Sequence, residues 1–260
     1  GNIIFTGIRN GDFRLYTENN HEYTNDTPPK LKASTSQTFK SGKLYSKATF
    51  KEGVNFENRY NHGVADSEVF YEDDGITVRM RIERTFDTDG ALASVTKYDK
   101  DGNVIYKQDN FEYDEEFNGS YQTGKGDCYL LTAIDSLVQT PEGKQILKDN
   151  VTFDKANKTY TIQLPGAQKI IADLKAKFPD KADLITINTS YTVKAEDVRQ
   201  AQIDFTFALG DANVIVYELA YRQFREDVQN TVNALGIEDE TQTSEDNGIG
   251  FGIIDCEDVI

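Results

Sequence analysis

The 260-residue sequence lacks tryptophan and contains two histidines, two cysteines and one methionine. Two cysteines are too few for a disulfide scaffold, and Cys/His spacing of the zinc-site kind is missing. No apolar run approaches the roughly 20 residues that a membrane-spanning helix needs. Basic residues are outnumbered, with 28 Lys and Arg against 44 Asp and Glu, so the formal net charge is −16. This charge argues against nucleic acids and anionic membranes as partners.

The first part of the chain has the pattern of antiparallel β structure. Residues 76–83 alternate apolar and polar side chains, as a strand with one buried face does. Short phrases with a turn glycine recur at intervals of roughly twelve residues, which is typical of a β-meander. They lie at 41–42, 52–53, 73–75, 87–90 and 99–102. The Asp-x-Asp-Gly phrases lack the longer ligand loop of an EF-hand, so we interpret them as turns rather than calcium sites.

Two other features of this region lead to separate expectations. The polar stretch 19–37 contains Pro28 and Pro29 and predicts a loop or long connection. His21 and His62 are interpreted as exposed loop residues. Their pairing with a catalytic residue elsewhere is the alternative, because members of a catalytic triad need only be neighbours in space.

The second half of the chain predicts mainly helices. Apolar residues at helical spacing indicate helices over 128–139, 168–178 and 214–235. Thr140-Pro141-Glu142 supplies a cap, a first-turn proline and an acidic residue, which predicts that another helix starts there. Residues 151–153 and 159–164 predict a hairpin. We therefore predict an α+β protein with an antiparallel β-meander domain over 1–116 and a mainly helical, cysteine-bearing domain over 117–260.

The candidate site is the stretch from Gln122 to Ile134, where a glycine-containing loop leads into an apolar helical pattern. Cys128 lies at the junction, and the amides and dipole of a helix N-terminus stabilise a thiolate over a thiol. Gln122 is placed to offer a side-chain amide to a developing oxyanion beside the backbone N–H of Cys128. The alternative is a structural cysteine buried under the helix, since free cysteine is among the most buried residue types.

Gln-x-x-x-Gly-Asp-Cys followed by an aromatic residue and two leucines, over 122–131, resembles the nucleophile loop of the calpain family of papain-like cysteine peptidases. Tyr129 stands where that family usually has tryptophan. Residues 217–224 resemble a helix of the family more weakly. The resemblance implies a papain-like core, a protein or peptide substrate, Cys128 as the nucleophile and Gln122 as an oxyanion-hole donor.

The resemblance also implies groups that this sequence does not contain. The family carries its catalytic histidine in a Gly-His motif after the cysteine, followed by an Asn-Pro-Trp motif, and neither occurs here. We therefore expect the histidine-bearing second subdomain outside these residues, either in a longer protein or in a processed second chain. A non-catalytic relative that kept the loop for packing is the third explanation.

The resemblance leaves the cofactor and the role of the β region open. We predict no cofactor, with Ca²⁺ as the alternative. The acidic, aromatic stretch 109–117 is interpreted as a solvated linker, because the family's acidic calcium ligand before the glutamine is not matched. The β region is compatible with a propeptide, a substrate-docking module or a cell-surface attachment unit. The opposing functional class is a binding or structural module, in which the β repeats hold a partner and Cys128 is structural.

Overall fold

The computed structural model describes residues 2–4, 15–109, 111, 117, 120–121, 128–210 and 212–237. The fold is α+β, and the chain divides into two compact units. The N-terminal unit comprises Gly1–Phe111 with Ile203–Phe205, and the C-terminal unit comprises Glu112–Gln202 with Thr206–Ile260. The sequence pattern places this boundary slightly later, between residues 116 and 117.

The N-terminal unit is an eight-stranded antiparallel sheet in which every strand pairs with the next along the chain. This order is that of the predicted meander. One short helix, α1 (Phe56–Asn61), lies between the fourth and fifth strands. The strands are β1 (Asn2–Ile4), β2 (Leu15–Tyr23), β3 (Leu31–Lys40), β4 (Lys43–Lys51), β5 (Ser67–Tyr71), β6 (Val78–Phe86), β7 (Leu92–Asp99) and β8 (Val104–Gln108).

Four of the five glycine phrases form turns between these strands, and an aspartate side chain accepts backbone hydrogen bonds in three of them. Asp99 Oδ1 accepts hydrogen bonds from the backbone N–H groups of Asp101, at 2.9 Å, and Asn103, at 2.8 Å. Gly102 follows with a φ of +84°, a conformation that favours glycine. The turn at Asp87 repeats this arrangement with Gly90 at a φ of +90°. These carboxylates therefore bind the amides of their own turns, as local turn chemistry predicts.

The prediction of a loop over 19–37 is wrong except for residues 24–30, which contain Pro28 and Pro29 and connect two strands. Residues 15–23 and 31–40 form the long antiparallel pair β2 and β3, and β3 also pairs with β4 on its other side. The sequence pattern does not predict these strands because many of their residues are polar. Residues 33–38, for example, are Ala-Ser-Thr-Ser-Gln-Thr. Neighbouring strands on both sides satisfy the backbone of β3, so it needs no apolar alternation to stay in the sheet. The phrase at 52–53 is a second difference, since it leads into α1 rather than into a hairpin.

The C-terminal unit consists of helices around a three-stranded antiparallel sheet, with one further two-stranded pair. The sheet contains β10 (Val151–Asp154), β11 (Thr159–Gln163) and β12 (Ser190–Lys194), and the pair joins β9 (Ser120–Tyr121) to β13 (Leu209–Gly210). The helices are α2 (Cys128–Val138), α3 (Pro141–Asp149), α4 (Ala167–Lys177), a 3₁₀ helix (Pro179–Leu184), α5 (Ala195–Asp204) and α6 (Ala212–Leu235). The sequence pattern predicts α2, α3, α4, α6 and the β10–β11 hairpin, but neither α5 nor the 3₁₀ helix.

Helix α6 runs through the main hydrophobic core. Its residues from Ala212 to Glu218 are all buried, so this segment lies inside the unit on every side instead of presenting one apolar stripe. The same core contains Leu130 and Ile134 of α2 and Ile162 of β11. Within the described residues, no helix combines the length and the apolar character that crossing a membrane requires.

Candidate functional site

Cys128 is the first residue of α2. The cysteine thus lies where the sequence pattern predicts it, at the start of the helix. Gln122, the predicted oxyanion donor, and the residues up to Asp127 lie outside the described part of the chain. The described elements on either side of the connection 122–127 are β9 and α2.

The core fixes the orientation of α2 on the C-terminal side of the connection. Leu130, Leu131 and Ile134 are all at most 4 % exposed and belong to the main core. The next helix, α3, begins directly behind α2, and the Thr140 hydroxyl caps it by accepting a 3.0 Å hydrogen bond from the Gly143 N–H. The positive end of the helix dipole of α2 lies at Cys128, the first residue of the helix.

The N-terminal side of the connection is held by two contacts. Phe117 is 1 % exposed, and its ring lies edge-on to the Tyr217 ring of α6, with 6.0 Å between the centroids. Strand β9 follows and pairs with β13 in the register Tyr121 to Leu209. The connection 122–127 therefore starts from a strand pair and ends at a buried helix, and both belong to the C-terminal unit.

A buried carboxylate contacts the residue that precedes β13. Glu218 of α6 is 2 % exposed, and both of its oxygens lie close to the backbone N–H of Ala208, at 3.0 and 3.1 Å from the nitrogen. Its neighbour Tyr217 donates a 2.8 Å hydrogen bond to the Leu147 carbonyl at the end of α3. Sequence reasoning missed Glu218. The available signal was a lone acidic residue within the apolar segment 214–220.

The predicted linker 109–117 is only partly solvated. Asp109 is exposed and forms a 2.6 Å ion pair with Lys107. Phe111 and Phe117, in contrast, are 6 % and 1 % exposed and pack in separate cores. The stretch therefore carries two buried aromatic anchors, which the interpretation as a solvated linker did not include. Asn110 and residues 112–116, which contain the remaining carboxylates, lie outside the described residues.

The histidines lie in the N-terminal unit. His21 is an exposed residue of β2 rather than of a loop, and its ring centroid is 5.7 Å from that of Tyr60. His62 directly follows α1 and donates its backbone N–H to the Asn58 carbonyl. Across the described residues, no group of three or more His, Cys, Asp or Glu side chains is arranged to hold a metal ion.

Comparisons with protein-family models, with curated proteins and with solved structures found no significant match.

Proposed function

We propose that this chain carries the nucleophile half of a cysteine endopeptidase with a calpain-like, papain-type core. The observation that carries the proposal is the position of Cys128 as the first residue of a helix whose apolar face is buried. The short loop motif that precedes this helix, with Gln122 six positions before the cysteine, supports the same assignment.

In this proposal the Cys128 thiolate attacks the carbonyl carbon of a peptide bond. The carbonyl oxygen becomes an oxyanion that accepts hydrogen bonds from the Gln122 side-chain amide and from the backbone N–H of Cys128. Collapse of the intermediate breaks the C–N bond and leaves a thioester, which water then hydrolyses. An imidazole takes the thiol proton and delivers it to the leaving amine.

The imidazole in this mechanism comes from a second, histidine-bearing subdomain or chain. The sequence contains no histidine after Cys128, and His21 and His62 belong to the N-terminal unit. In this proposal the helix terminus is the feature of this chain that activates the Cys128 thiol. This makes thiol reactivity, rather than turnover, the property to measure.

The test is the pH profile of iodoacetamide alkylation at each cysteine, resolved by mass spectrometry in the full chain. We expect Cys128 to alkylate with a midpoint below the ordinary thiol value of about 8.5. Cys256 is the internal reference, and Cys128→Ala and Cys256→Ala variants confirm the site assignments. Equal and slow alkylation of both thiols, with ordinary midpoints, would count decisively against the peptidase.

A non-catalytic binding module is the second candidate, and exposed apolar side chains of the N-terminal unit favour it. Ile76, Val104 and Ile105 are 81 %, 56 % and 58 % exposed, and the last two are the first residues of β8, on opposite faces of the strand. Strand β8 is the last strand of the described sheet, and an edge strand offers unpaired backbone groups to a partner. On this view Cys128 has ordinary thiol reactivity, so the same alkylation profile separates the two candidates.

A further inference from the structure

The eight-stranded sheet has one covered face and one open face. Side chains of directly paired residues lie on the same face of an antiparallel sheet, and successive residues of a strand alternate between the faces. Helix α1 and Phe111 pack on the covered face. The other face, which we call the open face, carries no buried residue of β2 to β8. All the buried residues of these strands follow the register of the covered face: Asn19, Ser34, Phe50, Ile82 and Val95.

Two rows of directly paired residues cross the open face from β2 to β8. Six strand spacings of about 4.8 Å make each row roughly 29 Å long. The rows combine cations with side-chain hydroxyl and amide groups on one continuous surface. The first row is Glu18, Gln37, Lys47, Val69, Arg81, Tyr98 and Val104, and the second is Asn20, Thr35, Thr49, Ser67, Glu83, Thr96 and Lys107.

The two rows are basic between β4 and β8. Over these strands they contain three cations, Lys47, Arg81 and Lys107, against one carboxylate, that of Glu83. The side chains of Arg81 and Lys107 are 45 % and 57 % exposed, and each forms an ion pair at the surface, with Glu83 and Asp109. Exposed ion pairs are weak, so an anionic ligand can replace the protein carboxylates in them. Lys47 forms no ion pair with any described residue.

The formal net charge of −16 does not exclude an anionic ligand on this sheet, because the charge is distributed unevenly. Residues 1–111 contain 15 Lys and Arg and 17 Asp and Glu, whereas residues 112–260 contain 13 and 27. The sheet therefore belongs to the nearly neutral part of the chain. Exposed charges more than about 8 Å apart are largely screened at physiological ionic strength. The local excess of cations thus governs what the open face attracts.

The open face fits a polysaccharide better than a protein or a nucleic acid. A protein interface has an apolar centre, but Val69 and Val104 are three strand spacings apart, which is about 14 Å. Single-stranded nucleic acids stack on free aromatic faces, but the Arg81 guanidinium already lies 4.4 Å from the centroid of the Tyr98 ring. The hydroxyl and amide side chains of the two rows can both donate to and accept from sugar hydroxyls.

We propose that the open face binds a linear acidic polysaccharide, with Lys47, Arg81 and Lys107 contacting its carboxylate or sulfate groups. The planar fork of Arg81 matches such groups, and the two lysines supply mobile point charges. The proposal is independent of the peptidase, because all of these residues belong to the N-terminal unit. It makes this unit a docking module rather than a propeptide.

The test is isothermal titration calorimetry of the full chain with two acidic polysaccharides and one neutral polysaccharide. Polygalacturonate supplies carboxylates, and heparin adds sulfates, so the two probes identify the anionic group that is bound. Dextran is the neutral control. We expect at least one acidic probe to bind and dextran not to bind. The affinity should fall when the NaCl concentration is raised about tenfold, because salt screens exposed charges.

Matched double variants test whether binding occurs on the open face. We expect Lys47→Gln with Arg81→Gln to lower the association constant by about tenfold or more, because two ion pairs with the ligand are lost. The control is Lys155→Gln with Lys175→Gln, which changes the net charge equally at two exposed lysines of the C-terminal unit and should bind like the wild type. Lys47→Arg keeps the charge and should also bind. Circular dichroism checks that each variant is folded.

Each outcome supports or overturns the polysaccharide site. A loss confined to the Lys47 and Arg81 double variant supports it, whatever the alkylation profile of Cys128, so its failure and that of the peptidase are distinguishable. No binding of either acidic probe overturns it. An equal loss in the Lys155 and Lys175 control reveals a general charge effect and also overturns it. Equally tight binding of poly-glutamate or double-stranded DNA shows attraction by charge alone, which overturns the assignment to a polysaccharide.

Discussion

Gly143 of α3 packs directly against the backbone of Leu137 at the end of α2. A Cβ atom at position 143 would lie 2.8 Å from the Leu137 carbonyl carbon and closer still to its oxygen. The close approach explains how α3 begins after only two residues, Gln139 and the cap Thr140. The glycine thus sets the geometry of the helix pair that starts at Cys128.

We expect Gly143→Ala to destabilise the protein by about 2 kcal/mol, because the methyl group forces the two helices apart. In an exposed helix the same change would raise the free energy of unfolding by about 1 kcal/mol. The sign of the change therefore tests the close approach of Gly143 to Leu137. Urea unfolding measures it, with Lys144→Ala in the same helix as the control. A stabilised Gly143→Ala variant would contradict the close approach.

Tyr191 anchors β12 to α6 and should give the protein an alkaline pH dependence. Its hydroxyl donates a 2.9 Å hydrogen bond to Asp227 Oδ2 and accepts one from the Asn188 N–H. Burial raises the pKa of Tyr191, and the hydrogen bond and negative charge of Asp227 raise it further. The folded-state pKa therefore lies above the unfolded value of about 10, so the stabilisation is complete below pH 10 and is lost at higher pH.

We expect Tyr191→Phe to cost about 2 kcal/mol at pH 7, through the lost bond to a carboxylate. The difference from the wild type should shrink as the pH rises above about 10. Denaturant unfolding at a series of pH values measures both effects, and Tyr23→Phe on an exposed side chain is the control. A difference that stays constant to pH 11 would show that Tyr191 does not titrate as described.

In the N-terminal unit, Arg59 forms a buried ion pair with Asp66. Its Nη1 lies 2.9 Å from Asp66 Oδ2, its Nη2 donates to the Lys51 carbonyl at 3.0 Å, and its guanidinium stacks over the Phe86 ring at 4.1 Å. Arg59→Met leaves the Asp66 carboxylate without its buried counter-charge. We expect a loss of about 3 kcal/mol in the free energy of unfolding.

The control for Arg59 is Arg81→Met, which removes an ion pair on the surface of the same unit. Arg81 and Glu83 are both nearly half exposed, so their pair should contribute at most about 1 kcal/mol. Urea unfolding of the two variants gives the comparison. Equal losses of unfolding free energy in the two variants would mean that burial does not strengthen the ion pair of Arg59.

The turns that contain aspartate should lose their stabilising effect at low pH. The Asn103 side chain, together with backbone N–H groups of the turn, lowers the pKa of Asp99. A lowered folded-state pKa means that the stabilisation is present above the unfolded value of about 3.9 and is lost as pH falls through the folded value. Asp99→Ala should therefore lower the melting temperature at pH 7 and have little effect near pH 2.

Asp101→Ala is the control for this turn, because Asp101 contributes its backbone N–H to the Asp99 carboxylate and that group remains in the variant. Thermal unfolding followed by circular dichroism between pH 2 and 7 measures both variants. Equal melting temperatures of Asp99→Ala and the wild type at neutral pH would remove the stabilising role of the turn carboxylate.

Local signals in the sequence determined much of the fold. Thr140 and Pro141 predict the start of α3 because capping and a first-turn proline act within one helical turn. Asp99 and Gly102 predict a turn because side-chain bonding and a positive φ also act over a few residues. Apolar spacing predicts α2 and places Cys128 at its start, since helical periodicity repeats over short distances.

Tertiary structure alone decided the features that depend on residues far apart in the chain. The polar strand β3 is stable because β2 and β4 pair with both of its edges, and no local pattern reveals that pairing. The burial of Glu218 and the pairing of Tyr121 with Leu209 likewise follow from packing around α6. The sequence alone thus determined that a cysteine begins a helix, because helical periodicity is local, whereas contacts between distant residues decided which polar groups are buried around α6.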